Sequence, residues 1–182
     1  MEKVVETYKI ENAIFELVEK PEAIYAGVFL YAKDYVNKGA MFNELGKIEN
    51  NFQTLNPLKA VIEPKMPIND VSIAINFSLY HDEKTHGYGY GRETITGNQP
   101  KGVDIFKMPA SLYVKAYINE PTAMLLPNQN DIVADLFPYI WWRVMPAHGI
   151  KVAENGAQDI EIYDSMLADR KAICIYAAAM RT

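Results

Sequence analysis

The most chemically suggestive stretch of this chain is Asp159-Ile160-Glu161-Ile162-Tyr163, an acid set between two isoleucines and followed by a tyrosine. Alternation of this kind reads as a β-strand, with Ile160 and Ile162 on one face and Glu161 and Tyr163 on the other. A carboxylate and a phenol that look the same way can act as a counter-charge for a cation or orient a water molecule. Two readings of Glu161 stand side by side. Either it faces solvent from the uncovered side of a sheet, or it lies at the bottom of an apolar, aromatic pocket that attracts a lipophilic cation. Tyr176, on the following strand with Cys174 and Ala178 on its face, suits the wall of such a pocket.

The second unusual feature is aromatic, Tyr139-Ile140-Trp141-Trp142. On a helical wheel Trp141 lies at the edge of the apolar stripe and has an ordinary core explanation. Trp142 falls on the flank of Asp131 and Asp135, with Tyr139 nearby. A cavity wall, a lid contact or a protein interface would use a tryptophan there; core burial after a kink at Pro138 is the alternative. Other suggestive residues lead to less. Gly87-Tyr88-Gly89-Tyr90-Gly91-Arg92 lacks the lysine and the following helix of a phosphate loop, and reads as a twisted or bulged strand. His81, His86 and His148 show no ligand spacing, so no metal site is expected. Cys174, in an apolar strand, reads as inert packing. No motif implies a cofactor.

These residues must be positioned by elements that the periodicity supplies. Phe15 to Glu19 and Ala23 to Tyr31 read as strands, with a hairpin or bend at Lys20-Pro21 after a polar lead-in. Met41, Leu45, Ile48 and Phe52 form one face of a helix capped by Asn37, which Asn56-Pro57 ends. Val71, Ile73, Ile75, Phe77 and Leu79 alternate as a strand, Asp82 to Gly87 turns, and Tyr88 to Thr96 returns. The second half repeats this order. Strands at Val103 to Phe106 and Ser111 to Ile118 precede a helix over Asn128 to Met145. Its stripe is Ile132, Leu136, Ile140 and Val144 beside Val133, Phe137, Trp141 and Met145. Strands at Asp159 to Asp164 and Lys171 to Met180 close the chain.

The halves superimpose in sequence. Pro21-Glu22-Ala23-Ile24-Tyr25 lies 88 positions before Pro109-Ala110-Ser111-Leu112-Tyr113, and Ile73-Ala74-Ile75 lies 87 before Ile160-Glu161-Ile162. The expectation is an α+β fold of two ββαββ-like units, spanning about 13–97 and 101–180, with pseudo-twofold symmetry. An antiparallel sheet would carry two main helices. In this alignment Glu161 takes the slot of Ala74, so its charge is not something the fold itself demands.

Composition bounds the rest. With 182 residues and 49% hydrophobic content, the chain can bury a core as one domain, 1–182. A net charge of −5 offers no field for a phosphate backbone, so no direct nucleic acid binding is expected. One cysteine allows no intrachain disulfide. The opening residues lack the apolar core of a signal peptide. The longest apolar run, Ala172 to Met180, is nine residues, against the roughly 20 that span a bilayer. A cytoplasmic protein with no membrane partner is the expectation.

Several of these features occur together in one known family. Glu19-Lys20-Pro21 before a strand, the twofold repeat, the aromatic second helix, Glu161-Ile162-Tyr163 and the apolar closing strand resemble the GyrI-like family. That module also forms the effector-binding domain of BmrR-type and some AraC-type regulators. The likeness covers nearly the whole chain, and its specificity lies in the order and spacing of short motifs. It implies a drug-binding pocket whose acid matches Glu161 and whose aromatics match Tyr176, Tyr163 and the helical residues Phe137, Tyr139, Trp141 and Trp142. It implies lipophilic, aromatic, often cationic ligands, held by cation–π contact and a buried counter-charge. No helix-turn-helix precedes the first strand, so a stand-alone member, not itself a transcription factor, is expected. Two alternatives follow from the same resemblance. One is a hydrolase of cyclopropane-containing DNA alkylators, with an aromatic cage and Glu161 as the catalytic group. The other is a protein-interaction module, like the gyrase inhibitor of the family.

Overall fold

The computed structural model describes residues 2–50, 71–77, 86–99, 101–127, 131–164 and 172–182. Its first strands are β1 (Lys3–Ile10), β2 (Ala13–Lys20) and β3 (Ala23–Tyr31), followed by a 3-10 turn at Ala32–Asp34 and helix α1 (Lys38–Asn50). Strands β4 (Val71–Phe77), β5 (Gly87–Thr94), β6 (Asp104–Met108) and β7 (Ser111–Tyr117) come next. Helix α2 (Glu120–Ala123), helix α3 (Ile132–Tyr139), a π-helical stretch at Ile140–Val144 and helix α4 (Met145–Ala147) lead to β8 (Ile150–Val152), β9 (Asp159–Asp164) and β10 (Ala172–Arg181). The result is an α+β fold of curled antiparallel strands with two main helical elements, α1 and the continuous α3–α4 segment.

The chain divides into two compact units, Met1–Glu22 with Met108–Thr182, and Ala23–Lys107. Within the first unit the strand order is β1-β2-β7-β10-β9, with β8 also beside β10. Within the second it is β6-β3-β5-β4. Matching β2, β7, β10 and β9 to β6, β3, β5 and β4 gives one topology twice. The register makes the equivalence specific. The row Ala74, Tyr90, Val28 crosses the second unit, and the row Glu161, Ile175, Ala116 crosses the first. Val28 and Ala116 are 88 positions apart, the offset by which the halves align.

Local chemistry explains the helices. Asn37 caps α1, its Oδ1 accepting the Ala40 N–H at 2.9 Å. Met41 is buried with Ala32, against Leu30, Tyr35, Tyr88 and Tyr90. Phe52, Leu79, Asn56-Pro57 and most of the Asp82 to Gly87 turn lie outside the described residues. Asp131 caps α3 through the Ala134 N–H at 3.1 Å, and Leu136, Phe137, Ile140, Trp141, Val144 and Met145 of the expected stripe are buried. Pro138 has no N–H to give to the helical ladder, and from Ile140 the next five residues widen to π-helical bonding.

Three features go beyond what the sequence resolved. The polar lead-in is strand β1, whose alternation is hidden because its polar residues make ion pairs on the sheet surface. Lys20-Pro21 is a bend and not a hairpin: β2 pairs with β1 and β7, and β3 pairs with β5 and lies beside β6. The segments β8 and α2, of three and four residues, are too short for any periodicity to show.

The glycine run is β5, paired with β3 without a break from Ile24↔Thr94 to Tyr31↔Gly87. A Cβ on Gly89 would stand 2.3 Å from the Val28 carbonyl oxygen, and one on Gly91 would stand 2.4 Å from that of Ala26. Backbone cannot yield as a side chain end can. Gly89→Ala or Gly91→Ala should therefore cost about 1–3 kcal/mol or more in urea unfolding. Gly46→Ala, in α1 with nothing within 4 Å of the added Cβ, should instead gain about 0.5–1 kcal/mol.

Candidate functional site

Directly paired residues of an antiparallel sheet share a face. Glu161 pairs with Ile175, Ile175 with Ala116, and Ala116 with Phe15. Phe15 stacks on Tyr139 with ring centroids 6.2 Å apart, so this is the face that α3 covers. Ile160, Tyr176, Lys115 and Glu16 form the adjacent row, on the opposite face.

On the helix-covered face Glu161 is buried, with 4% of its surface exposed. The Tyr163 hydroxyl donates to its Oε2 at 2.5 Å. The expected carboxylate and phenol are thus together. Asp159, two residues earlier and on the same face by alternation, is also buried, at 7% exposure. Its Oδ1 accepts the Ala178 N–H at 2.7 Å. Ala178 lies where β10 changes partner, from β9 at Tyr176 to β8 at Ala179, and its carbonyl accepts the Ala153 N–H. The Asp159 side chain therefore fills a hydrogen-bonding gap between two strands. Burial pushes its carboxyl up to about 7; the Ala178 N–H pulls against that and the Glu161 charge adds to it. Alternation alone would have placed Asp159 beside Glu161, and this was the signal to follow. From the helix, Phe137 and Trp141 are buried and stacked at 5.7 Å.

Tyr176 is not on this face. It belongs to a polar cluster on the other side of the same sheet. Its hydroxyl donates to Glu2 Oε2 at 2.8 Å, and Lys20 Nζ stands 4.4 Å from its ring centroid. Lys115 Nζ donates to Glu2 Oε1 at 2.8 Å and lies 3.8 Å from Glu16. The Tyr113 ring meets Tyr176 edge-on at 6.1 Å. A bulge between Val4 and Glu6 shifts the alternation of β1. It lets Glu2 reach this side, while Tyr8 points to the helix side and stacks on His148 at 3.8 Å. Burial first, then the charges of Cys174 and Glu2, raise the Tyr176 phenol far above its ordinary range. Burial likewise pushes the Cys174 thiol up to about 11, which leaves it unreactive. Trp142 points outward, 60% exposed. The core alternative for that ring is thereby set aside. Among the described residues no three His, Cys, Asp or Glu side chains group as metal ligands, and no helix is long and apolar enough to cross a membrane.

With that geometry in place, comparison with solved structures is informative about the fold. No family model and no curated sequence matches this chain. The protein SAV2435 bound to tetraphenylphosphonium superimposes with a TM-score of 0.61 at 9% identity, covering 91% of this chain and 93% of that one. The EcmrR C-terminal domain gives 0.57 at 11% identity over 93% and 99%. A putative transcription regulation protein from Staphylococcus aureus MU50 gives 0.55 at 13% identity over 91% and 97%. The chain shares their fold. The likeness is consistent with the GyrI-like fold expected from the sequence.

The Glu2 cluster carries a pH signature. Burial opposes ionisation of Glu2, but hydrogen bonds from Lys115 and Tyr176 and the two lysine charges outweigh it and lower its carboxyl below 4.5. A lowered carboxyl stabilises the fold above its unfolded value and loses that contribution as pH falls through the folded one. Glu2→Gln should cost on the order of 1 kcal/mol at pH 7, since the site is partly solvated. Denaturant titrations should find the difference closing below about pH 4.

Proposed function

We propose that this chain is a small-molecule-binding module of GyrI-like type that captures a lipophilic, aromatic cation, with Glu161 as its counter-charge. The observation that carries the reading is a carboxylate 4% exposed on the helix-covered face of the sheet, in a slot that the other repeat fills with Ala74. Burying a carboxylate costs several kcal/mol unless it is compensated. The other repeat builds the same topology with alanine in that slot, which favours a functional reading of the acid. Tetraphenylphosphonium, the compound on SAV2435, is a cation wrapped in four phenyl rings. Such a ligand calls for one buried negative charge and ring contacts.

Phe137, Tyr139 and Trp141 of the helix, with Tyr163, are the rings assigned to this ligand. Tyr176, on the opposite face of the sheet and bonded to Glu2, and Trp142, on the protein surface, stand apart from this set. Glu161 Oε2 already accepts the Tyr163 hydroxyl, which favours a counter-charge over a base that takes a proton from water. The interaction reading rests on Trp142, whose outward ring beside the exposed Arg143 suits a protein surface.

Titration with tetraphenylphosphonium, followed by tryptophan emission, should show saturable binding. Glu161→Gln should weaken it about 10- to 100-fold, or about 1.4–2.8 kcal/mol. Triphenylphosphine oxide, a neutral analogue, should lose little. Equal affinity of the cation for wild type and Glu161→Gln would remove the basis of the proposal.

A further inference from the structure

On the face of the first unit away from α3, donors from three strands converge on one carboxylate. The Tyr176 hydroxyl of β10 donates to Glu2 Oε2 at 2.8 Å, Lys115 Nζ of β7 donates to Oε1 at 2.8 Å, and Lys20 Nζ of β2 stands 3.7 Å from Oε2. Both oxygens are engaged. The lysines are largely withdrawn from water, with side chains 12% exposed for Lys115 and 18% for Lys20. Burial opposes the Lys115 charge, but hydrogen bonds with Glu2 and Tyr117 outweigh it and hold the ammonium above its ordinary range. Val18, Tyr113 and Ile160, on the same face, are fully buried. Two lysines beside so apolar a floor require an anion.

Little besides this cradle holds Glu2 in place. It precedes β1, whose pairs Lys3↔Glu19 and Val4↔Val18 come before the register shifts. The Lys3 and Glu19 side chains form an ion pair at 3.5 Å but are 74% and 54% exposed, so it contributes little. Val4 and Val5 are also exposed, and a segment that buries so little apolar surface opens at low cost. With Glu2 withdrawn, the two lysines face Glu16, 3.8 Å from Lys115, and the balance becomes one positive charge. One step along the same face, Tyr117 follows Lys115 and Ile14 precedes Glu16. Both are exposed, at 40% and 48%, and the Tyr117 ring centroid lies 4.9 Å from Lys115 Nζ. Apolar surface thus adjoins the charged donors.

We propose that this cradle is a second ligand site, for a small aryl monocarboxylate, and that Glu2 is its built-in competitor. The ligand carboxylate takes the Tyr176 hydroxyl and both lysines when the Glu2 segment lifts, and its ring lies against Tyr117 and Ile14. Charge sets the class: the open cradle lacks one negative charge, and its geometry already accommodates a carboxylate. Competition sets the affinity, which falls in proportion to the time that Glu2 occupies the donors. The site is on the opposite face of the sheet from Glu161, so the inference does not depend on the cation reading.

Calorimetric titration with benzoate, and with benzamide as its neutral isostere, tests the site. Thermal melting first checks that each variant folds. Glu2→Ala should bind benzoate about tenfold or more tighter than wild type does, and benzamide should not bind at the same concentrations. Glu2→Gln keeps the side-chain volume without the charge and should fall between the two. Benzoate should also raise the melting temperature of Glu2→Ala more than that of wild type. In the Glu2→Ala background, Lys115→Met or Lys20→Met should abolish the binding. Equal benzoate affinity for wild type and both Glu2 variants overturns the competition. Binding that survives both lysine substitutions, or no binding to wild type or either Glu2 variant at millimolar benzoate, overturns the site.

Discussion

A carboxylate held on the packed face of a β-sheet is the constraint on which the first unit is arranged. Glu161 sits in the row Glu161, Ile175, Ala116, Phe15, where every other member is apolar. Its ionised form is costly unless a donor or a cation meets it. Tyr163 meets one oxygen, and the alternation of β9 that supplies Tyr163 also brings Asp159 to the same side. The strand thus brings two buried acids to one face. Asp159 is retained for a second reason, the orphan N–H of Ala178 between β8 and β9. A structural bond and a charge effect therefore meet in one side chain.

The sheet separates its two polar groups by geometry. Moving one residue along a strand changes the face, so Tyr176 and Ile175 serve opposite sides. On the side away from α3, the sheet keeps Lys20, Lys115, Glu2, Glu16 and Tyr176 paired, with two cations against two anions. The bulge in β1 makes this compatible with Tyr8 pointing the other way. Without it, the alternation that brings Tyr8 to the helix side would turn Glu2 from Lys115 and Tyr176.

Much of this was legible in the sequence, and for identifiable reasons. Strong period-2 alternation marked β4 and β9, and the apolar stripe with Asp131 and Pro138 marked the interrupted second helix. The offset of 88 marked the repeat, and the register of Val28 and Ala116 carries it into the structure. The burial of Glu161 was left open because alternation gives a face and not what covers it. Tyr176 was grouped with Glu161 because register between β9 and β10 decides which residues oppose each other, and no local pattern encodes register. Glu2 was passed over because its hydrogen-bonding partners, Lys115 and Tyr176, lie more than a hundred positions away, on β7 and β10.

The repeat also bears on why the matched slot holds Glu161 in one unit and Ala74 in the other. The two matched rows divide volume in opposite ways. In the second unit the middle position is Tyr90, flanked by Ala74 and Val28; its ring, with Tyr88, packs toward Met41 and Ala32 under α1. In the first unit the middle position is Ile175, and the flanking position on β7 is Ala116. The smaller centre frees the neighbouring slot for Glu161, and the rings move from the sheet to the helix as Phe137 and Trp141. Bulk can be supplied to a core from either layer at similar cost. Aromatic bulk on the helix with an acid on the strand is the arrangement that sets rings opposite a charge.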